Sequence, residues 1–176
     1  MYINFWYPVC LTKELEDKPI KRRILGVDFV AFRDQKGTAH CLSNVCVHRG
    51  GSLADGKCIP ENNSVSCPYH GWQYGGDGKC LTVPSLGPGA KVPARAKVDS
   101  YPVIEKYDIV FAFLGDLSEK ERPELYEIEE VGAEGWRANE TITIDINYNY
   151  ERSVENGLDP AHNEFVHPTH GFSGIK

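Results

Sequence analysis

The sequence predicts a mainly β protein in two parts: a small antiparallel β domain over residues 1–115, then a second part, residues 116–176, with a strand and a helix start. Three observations carry this. Short runs rich in β-branched and aromatic residues, separated by Gly, Asp, Asn and Pro, fill the first part. Two turn clusters, Asp34-Gln35-Lys36-Gly37 and Gly75-Gly76-Asp77-Gly78, read as hairpin connections. Beyond Gly115-Asp116 the pattern changes to an acidic stretch, a strictly alternating strand and the helix-start pair Asp159-Pro160.

In chain order, strands are expected at residues 4–10, 24–33 and Ala39–Ser43, the last two joined by the first turn. Residues 53–64 hold Asp55-Gly56, Pro60 and Asn62-Asn63 and read as a loop that lets the chain double back. Trp72-Gln73-Tyr74 enters the second hairpin, and residues 79–83 leave it. Pro84, Gly87, Pro88, Gly89 and Pro93 then stiffen an irregular segment. Strands return at residues 98–104 and Ile109–Leu114, connected through Glu105-Lys106-Tyr107-Asp108. Residues 118–130, with Glu119, Glu121, Glu124, Glu127, Glu129 and Glu130, read as a solvated linker. Ile142, Ile144, Ile146, Tyr148 and Tyr150 then alternate with Thr141, Thr143, Asp145, Asn147 and Asn149, a strand whose apolar face needs a core. At Asp159-Pro160 the aspartate is expected as N-cap and the proline at the first helical position.

A length of 176 residues accommodates one domain with part of another. Apolar residues at 41%, charged residues at 25% and a net charge of -6 fit a globular protein and argue against nucleic-acid binding. Met1-Tyr2-Ile3-Asn4-Phe5-Trp6-Tyr7 lacks the features of a signal peptide, and no window approaches a membrane-spanning apolar run, so a cytoplasmic protein without membrane attachment is expected. Cys10, Cys41, Cys58 and Cys80 show no pairing logic and are read as reduced thiols.

Two stretches carry the chemistry of the first part: Cys46-Val47-His48-Arg49-Gly50 and Cys67-Pro68-Tyr69-His70-Gly71-Trp72. Each pairs a soft sulfur donor with an imidazole. A 2Fe-2S cluster in which two histidines replace two cysteines on one iron needs that set, delivered by two loops. A Cys2His2 zinc site is the rival, but structural zinc sites show C-x2–4-C and H-x3–5-H spacing, which C-x-H with C-x2-H does not match. A Cys46–Cys67 disulfide is disfavoured because nothing points to an oxidising compartment.

A second constellation follows Glu155-Asn156, where Asp159, His162 and His167 stand as D-x2-H-x4-H. Two imidazoles suit ferrous iron when a carboxylate completes the set and other positions stay open. Residues five apart on a straight helix point about 140° away from each other. A break is therefore required, and Pro168 supplies one by disfavouring helical geometry at His167. By spacing alone, Asp159 is as readily a helix cap as a functional carboxylate.

C-x-H-R-G, C-P-Y-H-G-W and the Glu155–His167 pattern together resemble the terminal oxygenase (alpha) component of Rieske non-heme iron oxygenases. The resemblance implies a Rieske-type antiparallel β domain followed by the start of an α+β, helix-grip-like catalytic domain. It implies a 2Fe-2S cluster held by Cys46, His48, Cys67 and His70, and mononuclear Fe(II) held by His162 and His167. The third iron ligand in the family is an Asp or Glu far downstream, so this sequence is expected to be the N-terminal part of a longer oxygenase, unable to turn over alone. Glu164, between the two histidines, and Asp159 are poor substitutes. The matching aspartate, Asp159, is implied as a hydrogen-bonded bridge between a mononuclear-site histidine and a Rieske histidine of a neighbouring subunit, with Asn156 a weaker outer partner. A ferredoxin or flavin reductase is implied as electron donor, O2 and a small organic substrate, aromatic or cyclic, as reactants, and a homotrimer as the assembly. The outcomes open to such a site are hydroxylation, dihydroxylation and demethylation.

The runner-up is a Rieske ferredoxin-like electron carrier, which residues 1–115 alone would satisfy, leaving D-x2-H-x4-H unexplained. A respiratory Rieske protein expects an extra cysteine in each ligand loop, where this sequence has Gly51 and Tyr69. His170 is read as a pocket or surface residue and His40 as structural or exposed. Lys18, Lys21, Arg22 and Arg23 are read as a solvated edge in preference to a docking patch.

Overall fold

Four consecutive buried residues, Phe29, Val30, Ala31 and Phe32, form a wall between two cores. Successive side chains of a strand point to opposite faces. Val30 and Phe32 therefore enter one core with Leu42, Leu53, Val65 and Tyr74, while Phe29 and Ala31 enter the other with Val9, Leu15, Val110 and Leu114. The computed structural model describes residues 3–139 and 144–167, in two units, Met1–Val131 and Gly132–Lys176.

The first unit holds eleven strands among the described residues, all paired antiparallel. β1 (Phe5–Leu11), β11 (Ile109–Leu114) and β10 (Val103–Lys106) form one sheet in the order β1-β11-β10. β2 (Ile20–Ile24), β3 (Val27–Arg33), β4 (Ala39–Ser43) and β9 (Ser100–Tyr101) form the second, and β5 (Lys57–Ile59), β6 (Ser64–Ser66), β7 (Gln73–Gly75) and β8 (Cys80–Thr82) the third. The mainly β class holds, and β4 and β11 run over the residues expected.

Several expectations are corrected. Residues 24–33 are not one strand, because Leu25 and Gly26 both adopt positive φ (52° and 80°) and turn the chain between β2 and β3. The 53–64 loop contains β5 and a single 3-10 turn, Pro60–Asn62. Pro102 splits residues 98–104 into β9 and β10, since it has no N–H for a ladder. The basic run lies on and beside β2, where Lys21 pairs with Asp28 at 2.8 Å and Arg22 with Glu14 at 2.7 Å.

The acidic stretch is exposed, yet it belongs to the first unit. Trp6 Nε1 donates to the Pro123 carbonyl at 2.7 Å, the Tyr107 hydroxyl accepts from Ile128 N at 2.7 Å, and Lys106 pairs with Glu127 at 3.2 Å. These anchors carry the unit to Val131, past the boundary expected at Gly115-Asp116.

In the second unit, residues 144–149 form no strand, and α1 (Tyr150–Leu158) begins where the alternating run ends. Residues 141–143 of that run lie outside the described residues. Asn149 caps α1, its Oδ1 accepting from Glu151 N at 3.0 Å. A strand needs a hydrogen-bonded neighbour, and the described residues of this unit contain no strand to pair with. Ile144, Ile146 and Tyr148 are exposed. No described helix is long and apolar enough to cross a membrane.

Arg33, at the end of β3, clamps the β domain. It donates to both oxygens of Glu105 on β10 (2.9 and 2.6 Å) and to the Leu15 and Gly37 carbonyls. The guanidinium holds the Glu105 carboxyl below its ordinary 4.5. A carboxyl with a lowered native pKa stabilises the fold above the unfolded value and loses that contribution as pH falls through the native one. Glu105→Gln should cost about 1 kcal/mol at neutral pH, discounted for partial exposure. Urea titrations between pH 7 and 3 should show the variant's deficit vanishing at the acid end; a pH-independent deficit would contradict the clamp.

Candidate metal centre

The two ligand loops are closed in the same way. After β4, Cys46 N donates to Gly51 O at 2.9 Å and Gly50 N to Cys46 O at 2.8 Å. After β6, Cys67 N donates to Trp72 O at 2.8 Å and Gly71 N to Cys67 O at 3.0 Å. Gly50 and Gly71 hold matching positive φ of 73° and 71°, which side-chain-bearing residues adopt only with strain. The loops thus present their donors from matching frames. The first is further fixed by buried Asn44, whose Oδ1 accepts from Ala54 N at 2.7 Å and whose Nδ2 donates to Ser52 Oγ at 3.0 Å.

Cys46 and Cys67 are each 2% exposed in the core beside Tyr74. His48 is half-buried and His70 exposed, and their rings meet edge-on at 4.4 Å. The Trp72 indole lies parallel to His48, 4.6 Å between centroids and 2° between planes. The Tyr74 hydroxyl stands 3.1 Å from Cys46 Sγ, and burial and that contact push the phenol upward, which keeps its proton for donation to a thiolate.

Electrostatics suit metal ligation. Burial, followed by the His70 and Arg49 charges, holds His48 below its ordinary range and so leaves it a neutral ligand. Burial pushes the Cys67 thiol up, with the neighbouring Cys46 acting in the same direction against the backbone N–H groups of Tyr69 and His70. A nearby metal cation reverses that preference by deprotonating a coordinating thiol.

Two observations test whether a 2Fe-2S cluster fits. His48 Nδ1 is buried without a hydrogen-bond partner, an orphan that metal coordination satisfies. A Cβ on Gly51 would stand 2.9 Å from Cys67 Sγ, so only glycine leaves room beside that thiol. No three His, Cys, Asp or Glu groups converge on one ion among the described residues. A binuclear cluster does not require this, because it places two protein ligands on each iron. The residues fit the group.

In the second unit, Asp159 closes α1 as its C-cap and is not the N-cap expected, while α2 is the short segment Asn163–Val166. Asp159 Oδ1 accepts from Ala161 N at 3.0 Å, which turns the chain between the two helices. His162 and His167 flank α2 at its two caps, with His167 in extended geometry, and their rings lie 5.4 Å apart. Asp159 Oδ2 stands 3.6 Å from His162 Nδ1, beyond a hydrogen bond, and that buried nitrogen has no partner. Asn156 offers its backbone carbonyl to Asp159 N at 3.3 Å, and its side chain is exposed. His170 lies outside the described residues. His40 is half-buried, with Nε2 at 3.0 Å from Asp34 Oδ2.

Sequence reasoning passed over Asn44, Gly51, Trp72 and Tyr74. Trp72 and Tyr74 alternate out of the second ligand loop with the period of a strand, a signal that could have placed both on the ligand side.

Comparison with known proteins identifies the family. The Rieske [2Fe-2S] domain model matches residues 5–102. The phenoxybenzoate dioxygenase alpha subunit of Ectopseudomonas oleovorans is 36% identical over 98% of this chain and 44% of its own length. The oxygenase component of dicamba O-demethylase from Stenotrophomonas maltophilia is 32% identical over 93% of this chain and 47% of its own. A crystal structure of dicamba monooxygenase bound to 3,6-dichlorosalicylic acid superposes with a TM-score of 0.76 at 31% identity, covering 93% of this chain and 47% of that one. The chain therefore spans less than half the length of these relatives. With the family model covering more than half the chain, the chain belongs to the Rieske [2Fe-2S] domain family.

Proposed function

We propose that this chain is the cluster-bearing part of a terminal oxygenase that hydroxylates, dihydroxylates or demethylates a small organic substrate. The observation that carries the reading is the second constellation: a simple electron carrier has no use for two imidazoles 5.4 Å apart beside Asp159. The relatives named above as dioxygenase, demethylase and monooxygenase point to the same reaction class.

In this reading Cys46, His48, Cys67 and His70 hold the 2Fe-2S cluster, and His162 and His167 hold ferrous iron, with a carboxylate from beyond this sequence as third ligand. When bound, the cluster supplies single electrons and the mononuclear iron supplies oxygen activation. The protein's task is to hold and orient. With the cluster bound, the Tyr74 hydroxyl would donate to the Cys46 thiolate, Gly51 leaves room for Cys67 Sγ, and Trp72 covers one face of the His48 ring. Asp159 stands beside His162 Nδ1 and, after a small rotation, would accept its proton and fix the ring so that Nε2 faces the metal. Its other face would reach the exposed His70 of a neighbouring subunit in a homotrimer, with a ferredoxin or flavin reductase as external donor. A cytoplasmic setting is part of the proposal and suits six cysteines without a disulfide among them.

The intact protein should contain about two irons and two acid-labile sulfides per chain in the cluster. Cys46→Ser should abolish the cluster's visible absorption, and zinc in place of iron would overturn the assignment. Asp159→Asn should leave both metals bound and slow single-turnover product formation by about tenfold or more, the scale of losing a partner that orients a ligand. Full activity in that variant would reduce Asp159 to a turn residue.

A further inference from the structure

Resting on the cluster reading, we propose that Trp72 is a positioning residue that latches one ligand loop to the other. Its backbone carbonyl accepts from Cys67 N and closes the second loop, while its side chain covers the ligand histidine of the first. The indole and the His48 ring are parallel within 2° at 4.6 Å. Trp72 is itself partly buried against the core that holds Cys46, Cys67 and Tyr74, so the covering surface is rigid.

An imidazole turns in a broad torsional well about its Cβ–Cγ bond. Something must select the ring plane that directs Nδ1 to a metal, and Nδ1 itself, buried without a hydrogen bond, is the atom left for that metal. The stacked indole performs that selection and keeps water from one face of the ring. Among the described residues His70 has no comparable cover, because its neighbour Tyr69 is tilted by 37° and is itself 62% exposed. The two histidines on one iron are therefore held unequally, His48 fixed and screened, His70 open.

The test compares Trp72→Leu, Trp72→Phe and Tyr69→Leu in the intact, cluster-loaded protein. Chelator-driven bleaching should run about tenfold or more faster in the Leu variant at Trp72, the lower end of what removing a ligand-orienting partner costs. The electron paramagnetic resonance g-values of the reduced cluster should shift and broaden in that variant. Trp72→Phe keeps a flat ring and should restore both, and Tyr69→Leu should change neither. Wild-type g-values and bleaching in Trp72→Leu would overturn the latch. If Trp72→Leu assembles no cluster, the Phe variant decides: a wild-type signature supports the latch, and failure to assemble overturns it. Absence of a cluster signal in the wild-type protein would instead refute the cluster reading itself.

Discussion

One constraint shapes the first unit: two thiols and two imidazoles come together from separate segments, with Cys46 and Cys67 buried and the His48 and His70 rings 4.4 Å apart. Burial alone works against the ligands, since it disfavours thiolates. It also keeps His48 neutral, and a neutral imidazole is the form that ligates. Metal charge resolves the conflict at the thiols. The unpartnered His48 Nδ1 is the atom left free for the proposed cluster.

The architecture follows from how that volume is framed. The wall strand β3 feeds Val30 and Phe32 to the ligand side and Phe29 and Ala31 to the supporting sheet, so a disturbance of either core reaches the loops. The loops share one closure: each cysteine carbonyl accepts from the glycine four residues on, each cysteine N–H donates to the carbonyl five residues on, and each of those glycines is left-handed. Gly51 allows the first loop to approach Cys67, and Trp72 of the second loop reaches back over His48. Contacts in both directions make the pair of loops one object.

The candidate ligands were legible in the sequence because ligand chemistry demands particular residue types at fixed spacing, and spacing survives any fold. The hairpin at Asp34–Gly37 was legible because Asp34 Oδ1 accepts from Lys36 N and Thr38 N, a local device. What could not be read were features set by distant partners. The order of the strands β5 and β6 depends on pairing and not on their own three-residue sequences. The run ending at Tyr150 has strand alternation, yet Asn149 caps a helix there, a competing local signal that the alternation masked. Asp159 was weighed as a cap at the wrong end of a helix, although its carboxylate still stands beside His162. Trp72 and Tyr74 were read only as the strand entering the second hairpin, and their positions against His48 and Cys46 show what they touch.

The central claim is that Cys46, His48, Cys67 and His70 hold two chemically distinct irons in one cluster. Mössbauer spectroscopy of the oxidised, iron-57-enriched intact protein tests it most directly, because sulfur-ligated and imidazole-ligated irons give separate quadrupole doublets. The account requires two cluster doublets of equal area, with any mononuclear iron as a third component removed by His167→Ala. A single cluster doublet, or loss of a cluster doublet in His167→Ala, would contradict it.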